Sequence, residues 1–412
     1  MLHIWIRGFS ILTNEQVLNS RILSNRILND RISDKNILND KISDNRILND
    51  KISDNQIFNN RMLNAVELAI GKASNFIISN QSDEGYWLDF YIPGMGKSSQ
   101  WVTAYIAYSL SRLPNTDKSV QKAIVWLLHT KFSSGGWGYH QNCLPDADST
   151  ANVVRLLAYY FKKENLLTQE NFVFYLHEFA DLLASYQDRN TGGFLTYLPG
   201  SNGKYHTMPD SAWCISEPSI TAMAGNAFLT AGPEWFEQEI SKAREFLISR
   251  QNSAGYWDSY WWDCRIYGTS LACNFLKQLG EIDPVKKAIS WLKSIFVPSK
   301  GWGNGYEAVP YPFYTALSLS SLLLFENNIH SREVKDSVLW LIENQNEDGS
   351  WFSKPILRVP DPQVREPWVG SNREKCEVVT DVNLLFTTAT VMGALYDFLN
   401  LSGYYSGSAS HE

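Results

Sequence analysis

The chain has 412 residues, a net charge of −7 and 44% hydrophobic residues. That is core enough for one large domain or two ordinary ones, and it excludes a disordered chain. No basic stripe exists to hold phosphates, which argues against a nucleic-acid partner. Five scattered cysteines with no CxxC pair suggest neither a disulfide framework nor a zinc knuckle, so a cytoplasmic location is expected. No apolar run reaches the roughly 18 residues of a membrane helix, so no transmembrane segment is expected. The opening MLHIWIRGFS is short and no small-residue cleavage site follows, so no signal peptide is expected.

In chain order, residues 21–62 repeat with a period of five (RILSN RILND RISDK NILND). Five residues advance a helix by about 500°, so the recurring Ile and Leu spiral around it and form no single stripe. Residues 1–63 therefore read as a low-complexity tract, solvated or partly helical and without chemistry. Residues 64–400 read as the body, and 401–412 as a disordered tail.

The body carries a longer repeat. NQSDEGYW (80–87), RQNSAGYW (250–257) and NQNEDGSW (344–351) each close an amphipathic helix with a Gln–Gly–Trp turn, and degenerate copies end at Gly136, Gly193 and Gly301. After each turn comes a helix that starts with small residues and Thr and is apolar nearly all round, such as STANVVRLLAYYF and YGTSLACNFLKQL. Such helices belong inside, and their amphipathic partners outside. The expected fold is all-α, an α/α toroid of six helix pairs. In the turn, Gln is expected to bond a neighbouring repeat's backbone, Gly to permit the turn, and Trp to pack on the adjoining helix, so Trp87, Trp257 and Trp351 read as structural.

The segment PDADSTA (145–151) opens one inner helix. By themselves Asp146, Asp148, Ser149 and Thr150 are an ordinary helix start, because their oxygens accept from first-turn N–H groups. The repeat context and three local matches give them another reading. QxxxGxW repeats on six helix pairs resemble the squalene–hopene and oxidosqualene cyclases and other class II terpene cyclases. PDADSTA resembles that family's DxDD acid motif, with Asp148 as the proton-donating middle Asp, Asp146 at the first position, Ser149 in place of the last Asp, and Thr150 matching a common following Thr. GYWDSYWWDCRIYGT (255–269) resembles the stretch with a pocket Trp, here Trp261, before a Tyr–Gly–Thr helix start at Tyr267. SEPSITAM (216–223) resembles the stretch that carries a His bonded to the acid; here Met223 stands there. Triterpene cyclases of the family add a second helical barrel, whereas this chain carries the one toroid.

The resemblance implies a protonation-initiated cyclase of a linear isoprenoid or isoprenoid-tailed molecule, an isomerase of the intramolecular-lyase type. Two carboxyls in a dry cavity resist joint ionisation, so one stays protonated. Ser149 and Thr150 are then expected to donate to the carboxylate left behind. A carbocation needs electron-rich faces. Trp101, Trp213, Trp261, Trp262, Tyr267, Phe313, Tyr314 and Phe386 are the candidate lining, with Met223. Glu217, before a Pro in a loop, reads as solvated. The Pro-rich LRVPDPQVREPW (357–368) reads as a tie that finishes the toroid rather than a lid. No cofactor is expected, and Mg²⁺ only as a holder of a diphosphate substrate. Peripheral membrane contact and a partner subunit are left open. Two rival readings share the fold: a non-catalytic toroid that binds an apolar ligand or a protein, and a protein prenyltransferase subunit. The latter binds zinc through Asp, Cys and His. The only such grouping here, Asp210, Cys214 and His206, lacks the spacing, so no metal is expected.

Overall fold

The computed structural model describes residues 54–200, 208 and 210–403. The five-residue repeat lies almost wholly outside them, as do most of the C-terminal tail and His206. Two units divide the chain at Arg61/Met62, and the second holds the toroid.

Among the described residues, twelve helices alternate between two rings. The outer ones are α1 (Asp54–Ser79), α3 (Asp117–His129), α5 (Glu170–Ala184), α7 (Glu237–Arg250), α9 (Ile282–Ser294) and α11 (Arg332–Glu343). The inner ones are α2 (Gln100–Ser111), α4 (Ala147–Lys163), α6 (Pro218–Ala231), α8 (Ile266–Gln278), α10 (Pro312–Leu322) and α13 (Leu385–Leu401). Each inner helix packs on the next, and α13 packs back on α2, so the inner ring closes. The rings follow from composition. In α10 ten of eleven residues are buried, against four of twelve in α11, which keeps Arg332, Glu333, Lys335 and Glu343 on its outer side.

One staple recurs around the ring. Gln Nε2 donates to its own turn's Gly carbonyl and to a carbonyl of the next outer helix: Gln81 to Ser119, Gln187 to Glu239, Gln251 to Pro284 and Gln345 to Ala69, at 2.8–2.9 Å. The indole N–H of the turn Trp donates to a carbonyl ten residues back in the outer helix, at Trp87, Trp137, Trp257, Trp302 and Trp351. The backbone N–H of that Trp, or of Phe194 in the turn that lacks one, donates to a Thr hydroxyl of the following inner helix: Thr103, Thr150, Thr221, Thr269, Thr315 and Thr388. The turn glycine is obligatory where chain meets chain. Gly255 has φ +114°, and a Cβ there would lie 2.6 Å from the Lys287 carbonyl.

Short strands decorate one end. β1 (Asp89–Ile92) pairs antiparallel with β2 (Gly96–Ser98), and β3 (Leu357–Val359) with β4 (Glu377–Val379). Between β3 and β4 runs a strap that includes the short helix α12 (Gly370–Lys375). It crosses the toroid's mouth at the N-terminal ends of the inner helices. Ala212 N–H donates to Pro362, Trp213 Nε1 to Pro360, Tyr260 Oη to Val364, and Arg358 N–H to Trp261. The expectation of a mere tie is corrected here, because Leu357, Arg358 and Val359 roof the cavity that holds Asp148.

Candidate active site

The site is built at the mouth, where inner helices begin. Asp146 is the N-cap of α4, with extended backbone, and its side chain accepts from Ser149 N–H at 2.7 Å and Ser149 Oγ at 2.8 Å. Ser149 is therefore spent on Asp146 rather than on Asp148. Thr150, expected to tune the acid, instead takes its place in the repeat staple, accepting from Trp137 N–H at 3.2 Å. It stands where the other inner helices carry the same Thr.

Asp148, one residue into the helix, escapes both clamps. It is half-buried and lies on the wall of a cavity. Burial, Asp146 and Glu217 all disfavour its anion, in that order, and push its pKa well above the ordinary carboxylate range. One group favours the anion: the Trp101 indole N–H, which is buried, has no hydrogen bond of normal geometry and lies close to Asp148. Asn152 sits one turn further along α4 and reaches Asp148 Oδ1 at 3.3 Å.

Glu217 contradicts the solvated reading. It is 4% exposed and caps α6, where Ser219 donates to it through both N–H and Oγ. This repeats the Asp146–Ser149 clamp one repeat later. Burial raises Glu217 to about 7 and Asp146 to about 7. Sequence reasoning missed the Glu-Pro-Ser cap signal at α6, which is the same signal as Asp-Ala-Asp-Ser at α4.

The cavity leaves about 70 Å³ for the centre of a water-sized sphere. Its wall is mostly apolar: Trp101, Trp213, Trp261 and Trp262 line it, joined by Tyr139 and Tyr197, which sequence reasoning did not single out. Trp213 packs edge-on to Trp261 at 5.0 Å and stacks on Tyr197 at 5.9 Å. Trp261 is held by an indole bond to Thr196 Oγ1, 2.8 Å.

The other expected lining residues sit elsewhere. Phe313 and Phe386 pack behind the wall, each against Trp262, at 5.4 and 5.6 Å. Tyr314 is buried against Phe313. Met223 and Tyr267 line a second, more polar cavity of about 260 Å³, further along the inner helices, where Arg112, Arg155 and Asp397 also line it.

A carboxyl pushed toward its neutral form beside an apolar, ring-lined cavity is an arrangement able to give a proton to an apolar ligand. The comparisons agree in kind. The squalene-hopene cyclase C-terminal domain family matches residues 139–357, and this chain belongs to that family. Squalene–hopene cyclase of Zymomonas mobilis is 25% identical over 288 residues, 61% of this chain and 43% of that protein. The Bradyrhizobium diazoefficiens enzyme is 26% identical over 257 residues, 56% and 37% respectively. The chain thus spans less than half the length of these curated relatives. Among solved structures, the type II terpene cyclase MstE from Scytonema superposes with a TM-score of 0.71 at 26% identity, covering 82% of this chain and 99% of that one. A protein from Actinoplanes gives 0.68 and 26%, with 81% and 99% covered.

Proposed function

We propose that this chain is a class II terpene cyclase, an isomerase that starts ring closure by protonating the far end of an isoprenoid tail. The observation that carries the reading is Asp148: a carboxyl pushed toward its neutral form by burial and by two carboxyl neighbours, on the wall of an apolar cavity. Asp148 would hand its proton to the terminal alkene or epoxide. Its anion would be held by the Trp101 N–H, by Asn152 and by the start of α4. The cation formed would lie against ring faces of Trp101, Trp261 and Trp262, each worth roughly 0.5–2 kcal/mol. The strap and the rings keep water out, so the cation closes onto its own chain before it is quenched. Protonation-initiated cyclisation needs no cofactor.

Structures of MstE contain geranylgeranyl dihydroxybenzoate as substrate and merosterolic acid A as product. That supports an isoprenoid-tailed small molecule as the substrate class, handled within a single toroid. Among the described residues no helix is long and apolar enough to cross a membrane. Peripheral contact with a lipid surface remains part of the proposal. Tyr91, Met208, Val309, Val369 and Val382 are exposed in the segments that lead into inner helices, on the mouth side.

The test is product formation by wild type and Asp148→Asn on farnesyl and geranylgeranyl chains with and without an aromatic head group. Cyclised product from wild type alone is expected. Equal product from both, or none from either, would sink the reading.

A further inference from the structure

Two cavities lie among the inner helices, and a pair of stacked rings stands between them. Trp262 faces the cavity of Asp148, and Tyr267 faces the second cavity. Their rings stack at 3.9 Å and 20°. Phe313 continues the stack beyond Trp262 at 5.4 Å and 19°. All three are almost wholly buried. The repeat does not demand Trp262: five residues after the other turn aromatics stand Ile92, Asn142, Pro199, Glu307 and Ile356. It takes no part in the Gln–Trp–Thr staple.

An isoprenoid tail must fold beside Asp148, because each ring closes on carbons next to the protonated end. The space on Asp148's side is about 70 Å³, whereas pockets for ligands of this size run to about 300–1,000 Å³. At the mouth the tail meets the strap, and in depth it meets Trp262. Behind Trp262 lie about 260 Å³ already empty.

We infer that the Trp262–Tyr267 stack is the chain-length gauge of this site: it stops the folded tail from reaching the second cavity and so limits how many isoprene units cyclise. The inference rests on the proposed cyclase reading but can be read without catalysis. Removing either ring joins the two spaces and admits a longer tail. Removing only the Tyr267 hydroxyl leaves the wall standing.

The experiment compares wild type, Trp262→Ala, Tyr267→Ala and Tyr267→Phe. The probes are saturated farnesyl and geranylgeranyl alcohols, which cannot be protonated, with binding followed by tryptophan fluorescence. The unsaturated chains are assayed in parallel for cyclised product. The ratio of geranylgeranyl to farnesyl affinity should rise by at least about tenfold in both alanine variants, and stay at the wild-type value in Tyr267→Phe. If Trp262→Ala does not fold, Tyr267→Ala carries the comparison. An unchanged ratio in a folded alanine variant overturns the gauge, even if wild type cyclises. A shifted ratio with no cyclised product from any chain upholds the gauge and sinks the cyclase reading. Failure of wild type to bind either alcohol overturns both.

Discussion

Asp146, Asp148 and Glu217 act on one another at the mouth, and of these three only Asp148 lacks a serine to hold it. Glu217 acts on Asp148 through its charge, and that action has a sign that can be worked out. An unfolded Glu ionises near the ordinary value of about 4.3, whereas burial keeps Glu217 protonated up to about 7. Between those values the folded protein binds more protons than the unfolded chain, so stability falls as pH rises through that window. Asp146, also raised to about 7, adds to the same fall. Glu217→Gln should flatten it. Thermal melts from about pH 4 to 8 should show the variant gaining on wild type at the alkaline end and converging with it at the acid end. The same change removes a charge that disfavours the Asp148 anion, so the alkaline limb of the rate profile should move to lower pH. A limb that stays in place would mean that Glu217 does not reach Asp148. For Asp148→Asn, turnover should drop by roughly 10²–10⁴ or more while tail binding survives.

At the scale of elements, the strap is bonded to the segments that surround the cavity. Asp263 latches it: Arg358 donates at 2.9 Å and Arg373 donates from two nitrogens at 2.7 and 2.8 Å. Arg358 is wholly buried, so losing its partner would strand a charge at a cost of about 3–5 kcal/mol. Asp263→Asn keeps the shape and removes the charge. It should expose the strap, and trypsin should cut after Arg365, Arg373 or Lys375 sooner than in wild type. An unchanged cleavage rate would show that the latch does not govern opening. The strap was not legible in the sequence, since its partners Trp213, Tyr260, Trp261 and Asp263 lie on distant segments. The toroid was legible, because Gln, Gly, Trp and Thr recur at matched places. That recurrence also explains the error at Thr150. Taken beside Asp148 it looks like a tuner, and set beside Thr103, Thr269 and Thr315 it is a staple. Glu217 was misread because a loop carboxylate before Pro looks solvated until the inner ring closes over it.

For the whole toroid, closure depends on one seam where the neighbouring repeats are not consecutive in the chain. Two groups sew it. Gln345 Nε2, after α11, donates to Ala69 of α1 at 2.9 Å. Asp89 in β1 accepts from the N–H groups of Asn383, Leu385 and Phe386 at the start of α13. Elsewhere, as at Gln251, the same Gln joins repeats that the chain already connects. Removing the side chain costs two hydrogen bonds at either place, about 1–3 kcal/mol in all. The consequences should differ, because only the seam has no covalent backup. Gln345→Ala should speed amide hydrogen exchange in α1 beyond Met62 and in α11, and leave α4 and α6 near wild type, as local opening does. Gln251→Ala should lower global stability without singling out the terminal helices. Matching exchange patterns in the two variants would show that the ring is held as a whole and that the seam is no weaker than its other joints.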